Sequence, residues 1–322
     1  MMKLSTMKLL VDSLDKDWKS PIAEKILENW EHNQGSIYYC RSSANFSFYF
    51  TNKGRKYFLR FNSNTERTSE EIQGEVELLN FLNVYSKNVV KPVLSKNNYY
   101  IEELVTEKDE YIAVVFEEAE GKTFEIEDLN ENQFYIWGKS LGKLHNIMNK
   151  VPENIKSKRK TWKDHLHFVE EIVSDDKKAL KEFSQIRDWA NNMNSNSGLI
   201  HYDFELDNLS WKGNEINIFD FDDSAVYWFG ADIVYSLRDL FGENIDVSNN
   251  FFKSFISGYT SEFELDKNFY ENIQMFMRFH NLYAYARIKR SLDYTIEKDT
   301  PKWLVGLNDK LAGILKNTRN TF

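Results

Sequence analysis

One short stretch constrains this chain more than any other. Residues 198–224 read GLIHYDFELDNLSWKGNEINIFDFDDS. Residues 199–200 open an apolar run and 216–221 (INIFDF) form a second, and each reads as a short buried strand. Between them Trp211-Lys212-Gly213-Asn214-Glu215 carries a hairpin-turn signal, so 199–221 reads as a hairpin. His201, Asp203, Asn208, Asp220 and Asp222 therefore fall at strand ends and in the connecting loop. A rigid scaffold presents side chains for chemistry at such places.

Charge narrows what those side chains can do. Asp203, Glu205, Asp207, Glu215, Asp220, Asp222 and Asp223 crowd a span whose one base is Lys212. Two carboxylates ~4 Å apart repel by ~4 kcal/mol at an effective dielectric of ~20. A fold that gathers several needs a raised pKa or a bound cation. Asp and Asn offer only oxygen ligands, which suits magnesium, an ion that keeps waters and phosphate oxygens as its other ligands. Glu205, Asp207, Glu215 and Asp223 read equally well as solvated turn residues. Asp203, Asn208 and Asp220 stand out as a set.

The set resembles the protein-kinase-like family of aminoglycoside phosphotransferases, choline kinases and type II homoserine kinases. The family's loop, His-x-Asp-x-x-x-x-Asn, stands here as His201-Tyr202-Asp203-Phe204-Glu205-Leu206-Asp207-Asn208. The Asp that ends the family's following strand is matched by Asp220 in Ile218-Phe219-Asp220-Phe221-Asp222. Trp228-Phe229-Gly230-Ala231-Asp232-Ile233 is similar to the segment after that strand. The resemblance implies that Asp203 orients the acceptor hydroxyl and takes its proton, while Asn208 and Asp220 hold Mg2+ against the phosphates of ATP or GTP. It implies a structural His201, and an Asp232 that braces the loop from the next helix. Asp222 is either a direct ligand or a support.

Composition excludes other classes. The 322 residues can build two lobes. A net charge of −9 argues against nucleic-acid partners, which need clustered Lys and Arg. The basic run at 156–160 reads as a solvated loop. Cys40 is the one cysteine, so neither an intrachain disulfide nor a cysteine zinc cluster is expected. The N-terminal residues lack a signal-peptide pattern, and no apolar run reaches the ~18 residues of a membrane span. A cytoplasmic location and no membrane partner are the expectation.

The two halves differ. A helix over 21–32 precedes strands at 37–41, 46–51 and 56–61, a β-meander. A helix at 69–83 is followed by strands at 93–94, 99–102 and 111–116. After Gly121 the pattern is helical apart from the 199–221 hairpin. The expected fold is α+β and protein-kinase-like, with two lobes. An N-terminal antiparallel β-sheet lobe for the nucleotide covers 1–118, and a larger, mainly helical catalytic and acceptor lobe covers 119–322.

The first half adds candidates for the nucleotide. Protein kinases carry a Lys at the end of a comparable strand, paired to a helix Glu. Arg60 fills that slot here, and Lys56, on the same strand face, is its rival. Glu75 lies on the buried stripe of Leu78, Leu79 and Leu82, where an acid needs a cation, and Arg60 is available. The loop with Ser43 and Asn45, between the first two strands, is placed over the phosphates although it lacks a Gly-rich signature. Backbone groups from Glu117 onward would meet the adenine.

Later signals are weaker. His145 reads as a satisfied helix histidine, and His165 with His167 as core or surface rather than a zinc pair. Arg278, His280, Tyr283 and Tyr285 are possible acceptor contacts. The expected reaction moves the γ-phosphoryl group of ATP to a hydroxyl of a small molecule, such as an aminoglycoside, amino alcohol, homoserine-like compound or sugar. A Ser/Thr protein kinase of the same fold and a non-catalytic nucleotide-binding relative are the alternatives. Acceptor, nucleotide preference and oligomeric state are not legible.

Overall fold

A computed structural model describes residues 1–107, 109–241 and 245–322. Its chain divides into two compact units. One comprises Met1–Val76, Lys91–Glu118 and Ala284–Phe322, and the other Glu77–Val90 and Ala119–Tyr283.

The first unit begins with α1 (Leu4–Val11) and α2 (Pro21–Leu27). Pro21 sits in the first turn of α2 and the Ser20 hydroxyl accepts from Ala23 N at 3.2 Å, a strong start signal. This helix stops well short of the expected residue 32. Trp30 turns inward instead, and its indole N–H donates to the Val93 carbonyl at 3.0 Å. Then come β1 (Tyr38–Ser42), β2 (Phe46–Asn52) and β3 (Arg55–Ser63). Lys53 and Gly54 join β2 to β3 with φ of 48° and 79°, the paired positive values of a tight hairpin turn. Next is α3 (Ser69–Tyr85), which contributes to both units. Thr68 and Glu71 exchange backbone-to-side-chain bonds at 3.2 and 2.9 Å, a capping box that fixes the start of α3 and hence the height of Glu75. The short β4 (Pro92–Val93), β5 (Ile101–Val105) and β6 (Glu110–Glu117) complete the sheet.

All pairings in this sheet are antiparallel, in the order β1-β2-β3-β6-β4, with β5 also on β6. Period-two alternation sends Phe46, Phe48, Phe50, Leu59, Phe61, Ala113 and Val115 to one face. Met7, Leu10, Ile26, Leu27 and Trp30 pack on that face. Burying a side chain of this size contributes about 1.5–3 kcal/mol each, which makes this aromatic layer the main support of the sheet.

The second unit holds α4 (Glu131–Met148), α5 (Glu153–Lys156), α6 (Trp162–Ile172) and α7 (Lys177–Asn192). It continues with β7 (Ser197–Ile200), β8 (Leu209–Lys212), β9 (Glu215–Ile218) and β10 (Ala225–Trp228). Then follow α8 (Phe229–Ser236), α9 (Arg238–Phe241), α10 (Asn250–Thr260) and α11 (Phe269–Ser291), whose end passes into the first unit. The last helix, α12 (Lys302–Asn320), belongs to the first unit and packs Leu304 and Leu311 with Leu4 and Ile288.

The single hairpin expected over 199–221 is two separate ladders. β8 pairs with β9, whereas β7 pairs with β10. β9 also ends at Ile218, earlier than expected, because Asp220 takes φ of 65° and cannot continue a pleat.

Two helices of this unit meet without side chains between them. A Cβ on Gly138 would lie 2.0 Å from the Phe255 carbonyl oxygen, and one on Gly258 1.9 Å from that of Tyr135. α4 and α10 therefore touch backbone to backbone, as only glycine allows. That approach brings Tyr259 of α10 to His145 of α4.

Candidate active site

The loop after β7 is held from beneath by one buried carboxylate. Asp232, in the first turn of α8, is fully buried. Its Oδ2 accepts from His201 N and its Oδ1 from Tyr202 N, both at 2.9 Å. His145 Nε2 donates to Oδ2 at 2.9 Å, and the Tyr259 hydroxyl, 2.9 Å from His145 Nδ1, closes the chain. Burial pushes the Tyr259 phenol far above its ordinary value, so it stays a neutral donor. Tyr202 adopts φ of 74°, a left-handed conformation rare for a large side chain. Its amide bond to Asp232 and its ring contacts with Tyr227 and Tyr235 hold it there. Asp203 is the next residue and emerges partly exposed, at 34%.

Asp203 meets Asn208 directly. Asn208 Nδ2 donates to Asp203 Oδ2 at 3.0 Å and to the Asp203 carbonyl at 2.9 Å. The amide is thereby oriented, and its Oδ1 is the atom left to act as a ligand. Two further bonds stitch this loop to the segment that carries Asp220. Phe219 N donates to the Asn208 carbonyl at 3.1 Å, and His201 Nε2 donates to the Phe219 carbonyl at 3.1 Å. That second bond fixes the His201 tautomer. Burial holds the His201 pKa below its ordinary 6.5, so the ring is neutral at pH 7.

Sequence reasoning missed two arginines. Arg159, in the run expected to be a solvated loop, is buried. It donates to the carbonyls of Phe221 (3.1 Å), Asp222 (2.6 Å) and Ser224 (3.1 Å), and so clamps the segment after Asp220. Arg238 of α9 pairs with Glu205 and lies 3.4 Å from Asp203 Oδ1. No local pattern marks Arg159. For Arg238, the acid-rich loop itself was a signal that a cation had to come from elsewhere.

In the first unit Arg60 and Glu75 form an ion pair, with the Glu75 side chain 2% exposed. The Arg60 guanidinium also lies 4.8 Å from the centre of the Phe116 ring. Lys56 has other partners: it pairs with Glu118 at 3.2 Å and covers the rings of Tyr49 and Phe58. Ser43 is exposed in the β1–β2 turn, whereas the Asn45 side chain is buried. Asn62 Nδ2 holds the same turn through the Ala44 carbonyl at 3.0 Å. Glu117 ends β6 with its side chain exposed and its N–H bonded to the Lys91 carbonyl at 2.9 Å.

Other sequence candidates have structural work. Arg278 is committed to a two-pronged pair with Glu182, both bonds 2.7 Å, which raises its pKa. His165 stacks on Tyr283 at 4.1 Å and bonds the Tyr227 hydroxyl at 2.7 Å, while His167 is exposed beside Glu171. Tyr285, in the first unit, packs on Phe322. His280 rests against the rings of Tyr202 and Tyr235.

Among the described residues, no three His, Cys, Asp or Glu side chains group as a metal site. A site that takes one carboxylate and one amide oxygen from the protein and the rest from phosphates and water needs no such group. Asn208 Oδ1 and the Asp220 carboxylate are the right donor atoms for it. Asp220 is strained at positive φ, as residues at functional sites often are.

A sequence model of the phosphotransferase enzyme family matches residues 40–266. The chain belongs to that family. It is similar to the amicoumacin kinase of Bacillus subtilis (strain 168), 25% identical over 291 residues that cover 85% of this chain and 86% of that protein. Among solved structures, an amicoumacin kinase in complex with AMP-PNP, Ca2+ and "Ami" superposes with TM-score 0.78 at 22% identity, covering 98% of this chain and 96% of that one. A microcompartment-associated aminopropanol kinase gives TM-score 0.70 at 18% identity, covering 92% and 95%. A spectinomycin phosphotransferase gives 0.62 at 14% identity, covering 92% and 97%. The family is the one the resemblance implied, the α+β kinase-like fold is the one expected, and the enzyme is a small-molecule kinase, a phosphotransferase with an alcohol group as acceptor. Among the described residues no helix is long and apolar enough to cross a membrane.

Proposed function

We propose that this enzyme transfers the γ-phosphoryl group of ATP to a hydroxyl of a small molecule, with Asp203 as the base and Asn208 and Asp220 as ligands of Mg2+. One observation carries the reading. Asn208 turns its amide N–H groups to Asp203 and its oxygen away, while its carbonyl binds the residue preceding Asp220. This hydrogen-bonded connection of Asp203, Asn208 and the Asp220 segment supports assigning base and ligands to one site.

The acceptor hydroxyl gives its proton to the Asp203 carboxylate as its oxygen bonds to phosphorus, and the bond from phosphorus to the ADP oxygen breaks. Asp203 acts mainly by orienting that hydroxyl. Bound magnesium supplies charge neutralisation at the phosphates. Arg60, fixed by Glu75, is assigned to phosphate oxygens, where its planar fork can bind two at once. Ser43 and Asn45 are assigned to the turn over the phosphates, and backbone groups at Glu117 to the adenine. ATP use favours the cytoplasm as the working compartment.

The names of similar enzymes support one class of acceptor. The amicoumacin, aminopropanol and spectinomycin enzymes are each named for an amine-bearing alcohol, so an amino alcohol or antibiotic of that kind is the proposed class. ADP release with MgATP, surveyed over amicoumacin, amino alcohols, aminoglycosides, sugars and amino acids, tests this. Turnover confined to amine-bearing alcohols is expected. Turnover with a Ser/Thr peptide and none of these compounds would overturn it.

A further inference from the structure

The loop that carries Asp203 places three acids within five residues, Asp203, Glu205 and Asp207. A carboxylate meant to sit still against a hydroxyl is poorly served by a like charge two positions away. Here that neighbour is turned to use. Glu205 and Arg238 form an ion pair whose side chains are 20% and 23% exposed. The guanidinium so held directs Nη1 to the Tyr235 carbonyl at 3.2 Å and to Asp203 Oδ1 at 3.4 Å.

We propose that Arg238 is a positioning residue for phosphoryl transfer: anchored by Glu205 and the Tyr235 carbonyl, it sets the orientation of the Asp203 carboxylate. This rests on the reading of Asp203 as the base. Asp203 is gripped from two sides, Oδ2 by Asn208 at 3.0 Å and Oδ1 by Arg238 at 3.4 Å. The two grips differ. The Asn208 bond has ordinary length, whereas the Arg238 contact exceeds the usual 2.7–3.2 Å of a strong N–H···O bond. Arg238 thus steers the carboxylate without saturating it, since each of its oxygens has a second lone pair for the acceptor's proton. A lysine could not reproduce this, because one ammonium lacks the rigid fork that reaches two carboxylates and a carbonyl in fixed directions. α8 supplies the rest of the geometry: its buried Asp232 fixes the backbone of Tyr202, next to Asp203, and its C-terminal end leads into Arg238.

The test compares Arg238→Ala, Arg238→Lys, Glu205→Gln and the double variant R238A/E205Q, using ADP release with MgATP and amicoumacin, and MgATP hydrolysis with water as acceptor. Arg238→Ala is expected to lower kcat about a hundredfold, the scale of a misplaced catalytic group, with the KM values for MgATP and acceptor little changed. Arg238→Lys is expected to recover only part of the loss. The double variant is expected to be no worse than Arg238→Ala alone, because Glu205 acts through Arg238. Guanidinium ion added at millimolar concentration is expected to raise kcat for Arg238→Ala and leave the wild type unchanged, an effect a merely structural arginine would not show. Wild-type kcat in Arg238→Ala, or a loss without guanidinium rescue and matched by the same loss in Arg238→Lys, overturns the proposal. If Arg238→Ala does not fold, Arg238→Lys and Glu205→Gln carry the test, and wild-type kcat in both overturns it. Asp203→Ala is the control: full activity in that variant sinks the reading of Asp203 and this inference with it, whereas an inactive Asp203→Ala beside a fully active Arg238→Ala sinks this inference alone.

Discussion

His145 Nε2 donates to Asp232 Oδ2 at 2.9 Å, and neither side chain reaches solvent. The bond ties α4 to the Asp203 loop through a carboxylate that also caps two of the loop's amides. The resemblance already implied the Asp232 brace, and the structure shows it; sequence distance hides only its partners at 145 and 259.

Removing the carboxylate should therefore damage both stability and activity. Asp232→Ala orphans two buried N–H groups and the His145 imidazole at once. A loss of about 3–5 kcal/mol in urea unfolding is expected, the scale for breaking a buried charged network. A change under 1 kcal/mol would mean that the loop is held by something else.

The helix contact beneath that network makes a sharper prediction. Gly258→Ala would drive a methyl to 1.9 Å from the Tyr135 carbonyl, against backbone that cannot swing aside. The expected cost is about 3 kcal/mol, at the upper end of overpacking, in the same unfolding measurement. Gly306→Ala is the control, because nothing lies within 4 Å of a Cβ there.

The buried His201 gives stability a pH dependence. Its folded pKa lies below 6.5, because burial disfavours the cation. Below about 6.5 the unfolded chain binds a proton that the folded chain refuses, so this contribution is full above that pH and is lost as pH falls further. Unfolding free energy measured from about pH 8 down to about pH 5.5 should decline through the lower half of that range. His201→Gln, which cannot titrate, should flatten the decline. An unchanged slope would assign it to other groups.

Arg159 should reveal itself through the metal. Arg159→Gln loosens the carbonyls of Phe221 and Asp222, next to Asp220, without touching a ligand atom. The magnesium concentration for half-maximal rate is expected to rise about tenfold or more, as when an outer support of a metal ligand is lost, with much of kcat recovered at high magnesium. An equal loss at every magnesium concentration would show that Arg159 supports the fold alone.

Much of this was legible because it is local. The alternation in 46–61 and the spacing from His201 to Asn208 are properties of neighbouring residues, and they point to the sheet and the loop. The Arg60–Glu75 pairing followed from one helical stripe and one strand face. What stayed hidden depends on distant chain. Residues 225–228 were not distinguished as a strand because their partner, 197–200, lies before the whole catalytic loop. Arg159 reads as a surface cation until carbonyls 62 to 65 residues later surround it. The reach of β9 was overestimated because a left-handed Asp220 leaves no trace in an apolar alternation.

Loss of the Asp203 carboxylate tests the proposed chemistry most directly. Phosphoryl transfer by Asp203→Ala, measured as ADP release with MgATP and an accepted amino alcohol, should fall by about a thousandfold or more, the scale of a lost base and orienting group together. Calorimetry on the same variant should still show nucleotide binding, since Asp203 is assigned no contact with ATP in the ground state. Turnover within about threefold of wild type would contradict it.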